Sequence, residues 1–599
     1  MKRLMILGAL CTAIPAIYAQ SSLRVNQMGY LCNDFKSAVY VGDMDPENII
    51  FEIVSPERGK FELDSVADAP AWAPFKHAAR IYFSSVTTPG EYVISARRLP
   101  DGAVMDVAKL YIGNDAYSRL AIHEMPLNYL RQQRCGYNPV HDAECHQHDG
   151  FLVLSGDDDG KHYDVRGGWH DASDYLQYLP TSANTVYQLL FAYKKNPDVW
   201  ADNYDAAGKN GSNGVPDILD EARWGLEWMC RMNPEDNVYL NQIADDRDHR
   251  YAGVPQKDSV DYGRGPGAGR PVYPVSGEPY GLMKNKNRST GEASSVAKFA
   301  SAFALGSKLF QNSDPDFAKD LASRAEKAYA YAKAHPGASQ TAPCVSPYFY
   351  EEDNWVDDVE LAGAQLSRLL NKPVYEKEAA EYGAQEPCTP WMGADTARHY
   401  QWYPFVNLGH ALLAESSSPE ISTPFKKYLK DGVERVAKRG ESNAFRYGVP
   451  FIWCSNNLAV AFVTQAMLYR ELTGDNTYIE AETAARDWLF GVNPWGQTMI
   501  ILPDGMVESS PVDPHSAMVD LVVNRRPGRD WLVGGIVDGP VYTGIFNSLW
   551  GVHLRHDDRF AHAQGPVAVY HDDYSDYSTN EPTMDGTASL TFMLSRLIK

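Results

Sequence analysis

EASSVAKFASAFALGSKLF (residues 292–310), followed by FAKDLASRAEKAYAYAKAH (residues 317–335), decides the fold. Both segments place apolar residues at steps of three and four, the spacing that lines one face of an α-helix. The same period runs through SRLAIHEMPLNYLRQQ, SANTVYQLLFAYKK, PDILDEARWGLEWMCRM, VDDVELAGAQLSRLL and FVNLGHALLAES. It continues in KKYLKDGVERVAKR, NLAVAFVTQAMLYREL, YIEAETAARDWLFG and TMDGTASLTFMLSRLI. Helix pairs joined by Pro- and Gly-rich loops recur about six times, with no strand segments between them. An all-α domain of paired helices closed into a toroid is therefore expected over residues 113–599, rather than a parallel α/β fold.

Before residue 113 the period is different. LRVNQMGYL, KSAVYVGD, IIFEIVS, GKFELDS, ARIYFSSV and GEYVISARR are short extended segments separated by Pro, Gly and Asp. GEYVISA alternates faces, as a half-buried strand does. A β-sandwich is expected over residues 20–112, supporting the helical domain by packing against it. The first 19 residues, MKRLMILGALCTAIPAIYA, have a basic start, an apolar run and small residues near the end, the form of an export signal. Leu10 precedes Cys11, where a lipoprotein signal places a small residue, so soluble secreted or periplasmic export is favoured over lipid anchoring. No later stretch is long and apolar enough to span a bilayer.

A net charge of −22 argues against nucleic acid and against anionic membranes, because phosphate neutralisation needs a basic surface. The 36 Tyr and 13 Trp supply flat faces that suit sugar rings as well as cores. Beyond the signal, seven cysteines remain: Cys32, Cys135, Cys145, Cys230, Cys344, Cys388 and Cys454. An odd number cannot form a closed set of intrachain disulfides, so some are free thiols or metal ligands.

The chemistry gathers at two places. RGGWHDASDY (166–175) carries Asp171 and Asp174, and YSDYSTNEPTMDG (574–586) carries Glu581 ahead of Pro582. Aspartates three apart are also common at helix starts, and a glutamate before a helix is also a plain cap. Pro582 keeps Glu581 out of helical geometry and can occupy the first helical turn. The helix dipole lowers the pKa of such a glutamate, whereas a general acid needs it raised. Burial in a closed cleft, or the charge of Asp171 and Asp174, has to win. Carboxylates whose titrations are pushed apart are what acid/base hydrolysis of an acetal requires, one protonating the leaving oxygen and the other taking a proton from water.

RGGWHDASDY and YSDYSTNEPTMDG resemble the two signature regions of glycoside hydrolase family 9, largely cellulases. NGVPDILDEARWGLEWMCRM, HYQWYPFVNLGHAL, FIWCSNN, GVNPWGQ and GGIVDGPV follow in the family's order, and RVNQMGYL resembles the first strand of an N-terminal immunoglobulin-like domain found in one branch. The resemblance implies an immunoglobulin-like β-sandwich followed by an (α/α)6 barrel with an open cleft. It also implies an inverting mechanism, with Asp174 as the base, Asp171 helping to hold the water and Glu581 as the general acid. Base and acid are then expected roughly 6.5–9.5 Å apart. Ser173 stands where the family commonly has glycine. His515, in SPVDPHSAM, matches the first residue of a Pro-His-His-Arg run, but Ser516 and Ala517 replace the next two, so the leaving-group subsite differs.

Cys135, Cys145, His146 and His170 are the residue types of a closed zinc set, although their spacing is not that of a zinc finger. Read on chemistry alone, a Cys135–Cys145 disulfide fits as well. The family resemblance implies a structural zinc on these four, with His148 as the nearest wrong choice. Among the other thiols Cys344 and Cys388 are the expected disulfide, though connectivity cannot be read from sequence. YEEDNWVDDVELA (350–362) has carboxylates suited to calcium, but a solvated helix N-terminus is the expected role and no calcium ligands are assigned.

The loop 252–281 is expected to be exposed, with tyrosines available to border a groove. Of Trp169, Trp391, Trp402, Tyr403, Trp453 and Trp495, some are expected to be sugar platforms, and the family supports Trp402 and Trp453. The expected activity is cleavage of β-1,4-glucosidic bonds in a β-glucan polysaccharide or oligosaccharide by a monomer without an organic cofactor. The competing readings are an exo-acting glucosidase or glucosaminidase of the same family and a non-catalytic glycan-binding protein.

Overall fold

The computed structural model describes residues 21–154, 157–346, 349–516 and 532–599. The expected export signal and Ala517 lie outside the described residues. Eight strands come first: β1 Ser21–Arg24, β2 Ser37–Gly42, β3 Ile49–Ser55, β4 Gly59–Phe61, β5 Ser65–Ala69, β6 His77–Tyr82, β7 Gly90–Arg98 and β8 Val104–Ile112. They form two antiparallel sheets, in the orders β1-β2-β6-β5 and β4-β3-β7-β8. Tyr40, Ile53, Ile81 and Ile94 close a core between them. This sandwich is docked on the helical domain, as expected. Trp72, in the loop before β6, sits edge-on to Phe445, Phe451 and Trp488. Arg80 donates to the Ala444 carbonyl (3.0 Å), and Asn26 donates to Asp487 (2.7 Å).

The helical domain is a double ring. The outer helices are α1 Met125–Gln133, α3 Asp217–Met232, α5 Pro315–Ala334, α7 Pro373–Gly383, α9 Pro419–Gly440 and α11 Ile479–Leu489. The inner ones are α2 Leu179–Lys195, α4 Ala293–Phe310, α6 Val356–Leu370, α8 Leu408–Ala414, α10 Ser455–Thr473 and α12 Met584–Arg596. Each inner helix packs on the next, and α12 returns to α2, which closes the barrel.

The two quoted segments show why. Asp314 accepts from the Phe317 N–H (3.1 Å) with Pro315 in the first turn, so α5 starts where its sequence says it should. It buries Leu321, Ala325, Ala328, Tyr329 and Ala332 on one face, whereas α4 is buried almost all round. Gly306 lets α4 approach closely, since a Cβ there would lie 2.7 Å from Leu226. Each large side chain fully buried this way contributes roughly 1.5–3 kcal/mol.

Three expectations are corrected. The helical domain does contain strands: β9 Phe151–Leu154, β10 Asp157–His162, β11 Gln177–Tyr178, β12 Leu240–Ile243 and β13 Pro271–Pro274 form a five-stranded sheet. The stretch 252–281 is accordingly not one exposed loop, because β13 joins that sheet and Tyr262, Tyr273 and Tyr280 are buried. Cys344 and Cys388 are both free thiols. Cys344 lies with Asp245 and Asp246, while Cys388 lies beside Gly432. Among the described residues, no helix is long and apolar enough to cross a membrane.

Candidate active site

Residues 166–171 run beside the end of α1. The Cys135 N–H donates to Gly168 O (2.9 Å) and the His170 N–H to Gln133 O (2.8 Å). Gly168 has φ +70°, and a Cβ there would meet Trp228 at 2.8 Å, so only glycine fits the approach. Trp169 is fully buried and its indole donates to Glu221 (2.7 Å). The chain then reverses, with the Asp171 N–H bonded to Leu176 O (3.0 Å). That turn leaves residues 173 and 174 half-buried while Asp171 stays inside.

The two aspartates are therefore different groups. Asp171 accepts from Thr181 Oγ1 (2.7 Å) and from the Tyr350 hydroxyl. Burial, then the charges of Asp174 and Asp585, push its pKa well above the usual carboxylate range. Asp174 is half-buried, accepts from the Leu176 N–H (3.2 Å) and pairs with His249 Nε2 (3.1 Å). Partial removal from water works against the charge of His249, but the Asp174 carboxylate outweighs it and lifts the imidazole to about 9.

Glu581 reaches the same turn from the other end of the chain. Pro582 does not enter the helix: Pro582–Thr583 pairs with Ile536–Val537, and α12 begins at Met584. The Asp538 N–H donates to Glu581 O (2.8 Å), and the Met584 N–H donates to Asp171 O (2.9 Å). These bonds aim the glutamate at the turn, where its Oε1 accepts from the Ser173 N–H (3.0 Å) and from the Ser173 hydroxyl. Burial raises the Glu581 pKa, opposed by the positive potential of His515 and assisted by the charge of Asp174. Glu581 lies outside α12, which begins at Met584. His515 is held by its N–H to Asn580 O (2.9 Å), and its Nδ1 donates to Tyr574 O (2.5 Å).

Of the six motif aromatics, Trp169, Trp391, Tyr403 and Trp495 are core residues. Trp402 and Trp453 keep part of their surface. Trp453 lies 5.8 Å from Tyr577, whose ring is 6.0 Å from His515, so an aromatic wall leads toward Glu581. The sequence reading missed His249, Tyr350 and Asp538. Tyr350 opens the acidic stretch considered only for calcium, and His249 has no local signal at all.

Cys135, Cys145, His146 and His170 come together with all four ligand atoms within 4.8 Å of one another. His146 Nδ1 lies 3.3 Å from His170 Nε2 and 3.5 Å from Cys135 Sγ, and Cys145 Sγ lies 3.9 Å from His170 Nε2. A tetrahedron with zinc–sulfur bonds of about 2.3 Å and zinc–nitrogen bonds of about 2.0–2.1 Å has sulfur–nitrogen edges near 3.5 Å and a nitrogen–nitrogen edge near 3.3 Å. The His146–His170 and Cys135–His146 edges match these, and the Cys145–His170 edge, at 3.9 Å, is longer. His146 Nε2 faces Asp258 (3.2 Å), the carboxylate support usual behind a metal-binding histidine. His148 is exposed and outside the group.

The acidic stretch 350–362 is not a solvated helix end. Glu352 and Asp358 are buried on Lys298 of α4, and Asp358 meets its ammonium at 2.6 Å. Glu360 pairs with His410 (2.7 Å).

Residues 121–594 match the family model of glycosyl hydrolase family 9, and residues 18–100 match the cellulase N-terminal ig-like domain. The chain belongs to glycosyl hydrolase family 9, and it is an enzyme of that class, with the β-sandwich and barrel of the branch carrying an immunoglobulin-like domain. It is 25% identical over 99% of its length to a xyloglucan-specific endo-β-1,4-glucanase of Bacteroides ovatus, covering 96% of that protein. It is 26% identical over 96% of its length to endoglucanase C of Cellulomonas fimi, spanning 51% of that longer protein. The fold matches the crystal structure of a zinc-binding triple mutant of a family 9 endoglucanase, with TM-score 0.72 and 22% identity over 95% of this chain and 99% of that one.

Proposed function

We propose that this chain is an exported endo-β-1,4-glucanase that cleaves β-glucans, cellulose-like, mixed-linkage or xyloglucan backbone, with inversion at the anomeric carbon. The observation that carries the reading is the meeting of Glu581 with the Ser173–Asp174 turn, two segments 408 residues apart in sequence. Asp174, paired with the His249 imidazole, takes a proton from water as the water oxygen bonds to the anomeric carbon. Asp171 helps to hold that water: each of its oxygens has one protein donor and a lone pair to spare. Glu581, kept protonated by burial, gives its proton to the leaving oxygen as the glycosidic bond breaks. Trp402, Trp453 and His515 bind sugar along the cleft.

Zinc is the ion that fits Cys135, Cys145, His146 and His170. With four protein ligands it has no open position, so it contributes structure and not Lewis acidity. It ties the 135–146 loop to His170 and so fixes the turn that presents Asp171 and Asp174. The protein acts as a monomer.

The test is the proton NMR spectrum of the first product released from a soluble β-1,4-glucan. The α-anomer is expected, and initial release of the β-anomer overturns the mechanism. Viscosity falls early if attack is internal. Steady release of one small sugar without that fall supports instead the exo-acting reading, which the altered 515–517 stretch motivates.

A further inference from the structure

Both donors of one residue converge on one oxygen of Glu581. The Ser173 N–H lies 3.0 Å from Oε1, and the Ser173 hydroxyl donates to the same atom. A carboxylic acid has a single O–H, and a backbone N–H can only donate. A proton on Oε1 would face that N–H head-on, so Oε1 is an acceptor in both charge states. The proton of the neutral acid then belongs to Oε2.

We propose that Ser173 is a positioning residue that sorts the two oxygens of Glu581, fixing Oε1 as the acceptor and leaving Oε2 to carry the proton delivered to the leaving group. This rests on the reading of Glu581 as the general acid and deepens it. The hydroxyl has a second effect. When Glu581 gives up its proton, negative charge grows on the carboxylate, and the Ser173 O–H···Oε1 bond strengthens as it does. Ser173 therefore assists the acid at the moment of proton transfer, and a glycine at this position supplies only the N–H.

Other charges also face Glu581: Asp174 with its partner His249 from the water side, His515 from the 510–516 loop, Asp538 from the paired strand, and the Tyr129 phenol of α1. None of them is altered by removing the Ser173 hydroxyl. The effect of that removal is thus a defined one: the ionised carboxylate loses a donor, and the acid becomes weaker.

The test compares Ser173→Ala, Ser173→Gly and Ser173→Thr in the full chain, using kcat/KM against pH on carboxymethylcellulose and on 2,4-dinitrophenyl β-cellobioside. On the polysaccharide, Ala and Gly are expected to move the basic limb to higher pH by about one unit, the shift equivalent to one hydrogen bond to a charged group. They also lower kcat at the plateau. Thr, which keeps the hydroxyl, restores both. The activated aryl substrate needs little protonation, and its plateau kcat is expected to change little. A basic limb that stays in place in Ser173→Ala overturns the proposal, as does a Thr variant displaced as far as Ala. Glu581→Gln separates this from the reading beneath it. If that variant keeps the basic limb, Glu581 is not the acid. If it abolishes the limb while Ser173→Ala leaves it unmoved, only the role of Ser173 fails.

Discussion

Two clusters of buried acids lie in this barrel, and they differ in whether a cation is built into them. Glu352 and Asp358 close on Lys298, whose ammonium stays charged because the two carboxylates outweigh the cost of burial. Asp171, Asp174 and Glu581 gather with no lysine or arginine bonded to any of them among the described residues; His249 is ion-paired with Asp174. In the first cluster a buried ammonium is bonded to both acids, although burial still raises the pKa of Glu352 and Asp358. In the second no ammonium or guanidinium is bonded among the described residues, and burial likewise leaves Asp171 and Glu581 above the usual carboxylate range. A cluster of acids becomes a proton-transfer site where its charge is left uncompensated and one face stays open. Where the charge is compensated, the cluster is a structural tie.

Exchanging the roles of the two clusters by substitution would break this comparison, and the largest effect is expected at Glu581. Glu581→Gln keeps the hydrogen-bonding outline and removes the transferable proton, so kcat on a glucan should fall by about 10²–10⁴-fold, while thermal unfolding is nearly unchanged. The pH profile sharpens the point. A buried acid that must be protonated loses activity as pH rises through its pKa, so the wild-type basic limb should lie above the ordinary glutamate range and vanish in this variant. Lys298→Met is the converse. It strands buried carboxylates and should cost about 3–5 kcal/mol in a denaturant titration, with the folded fraction turning over normally. If instead Lys298→Met abolishes turnover at full stability, the distinction is lost.

The contrast also explains what could be read from the sequence. The helix pairs were legible because period is local, and Asp171, Asp174 and Glu581 could be singled out because family motifs contain them, while their meeting in space is a finding of the fold. The acidic stretch 350–362 was misread as solvated because its cation, Lys298, sits on an earlier inner helix whose pattern is otherwise apolar. Tyr262, Tyr273 and Tyr280 looked exposed among Gly and Pro, since nothing local reveals that β13 is claimed by strands far away in sequence. The Cys344–Cys388 pairing failed for the same reason: flanking prolines mark loops but not which loops meet. Cys135, Cys145, His146 and His170 were named together through the resemblance, and their convergence within 4.8 Å, invisible in one dimension, comes from the fold.

The metal group tests how rigid the open cluster must be. Removing the ion with a chelator should lower the melting temperature by several degrees, and activity should fall with it, because His170 is adjacent to Asp171. Asp258→Asn, which removes the support behind His146, should weaken metal retention by about 10–100-fold in a competition titration. Metal-free protein with native melting and native turnover would show that the turn holds itself.

The smallest expected effect probes the one counter-charge the open cluster does possess. His249 sits against Asp174 with its side chain 44% exposed, so solvent screens the pair and its loss should not unfold the protein. Held near 9, the imidazole is protonated throughout the neutral range and favours the ionised form of the base. The base must be ionised to accept a proton from water, and taking away the neighbouring cation disfavours that form. His249→Asn should therefore move the acid limb of kcat/KM to higher pH by less than about one unit and leave the basic limb where it is. If the basic limb moves instead, His249 acts on Glu581, and the division of labour between the two ends of the cleft has to be redrawn.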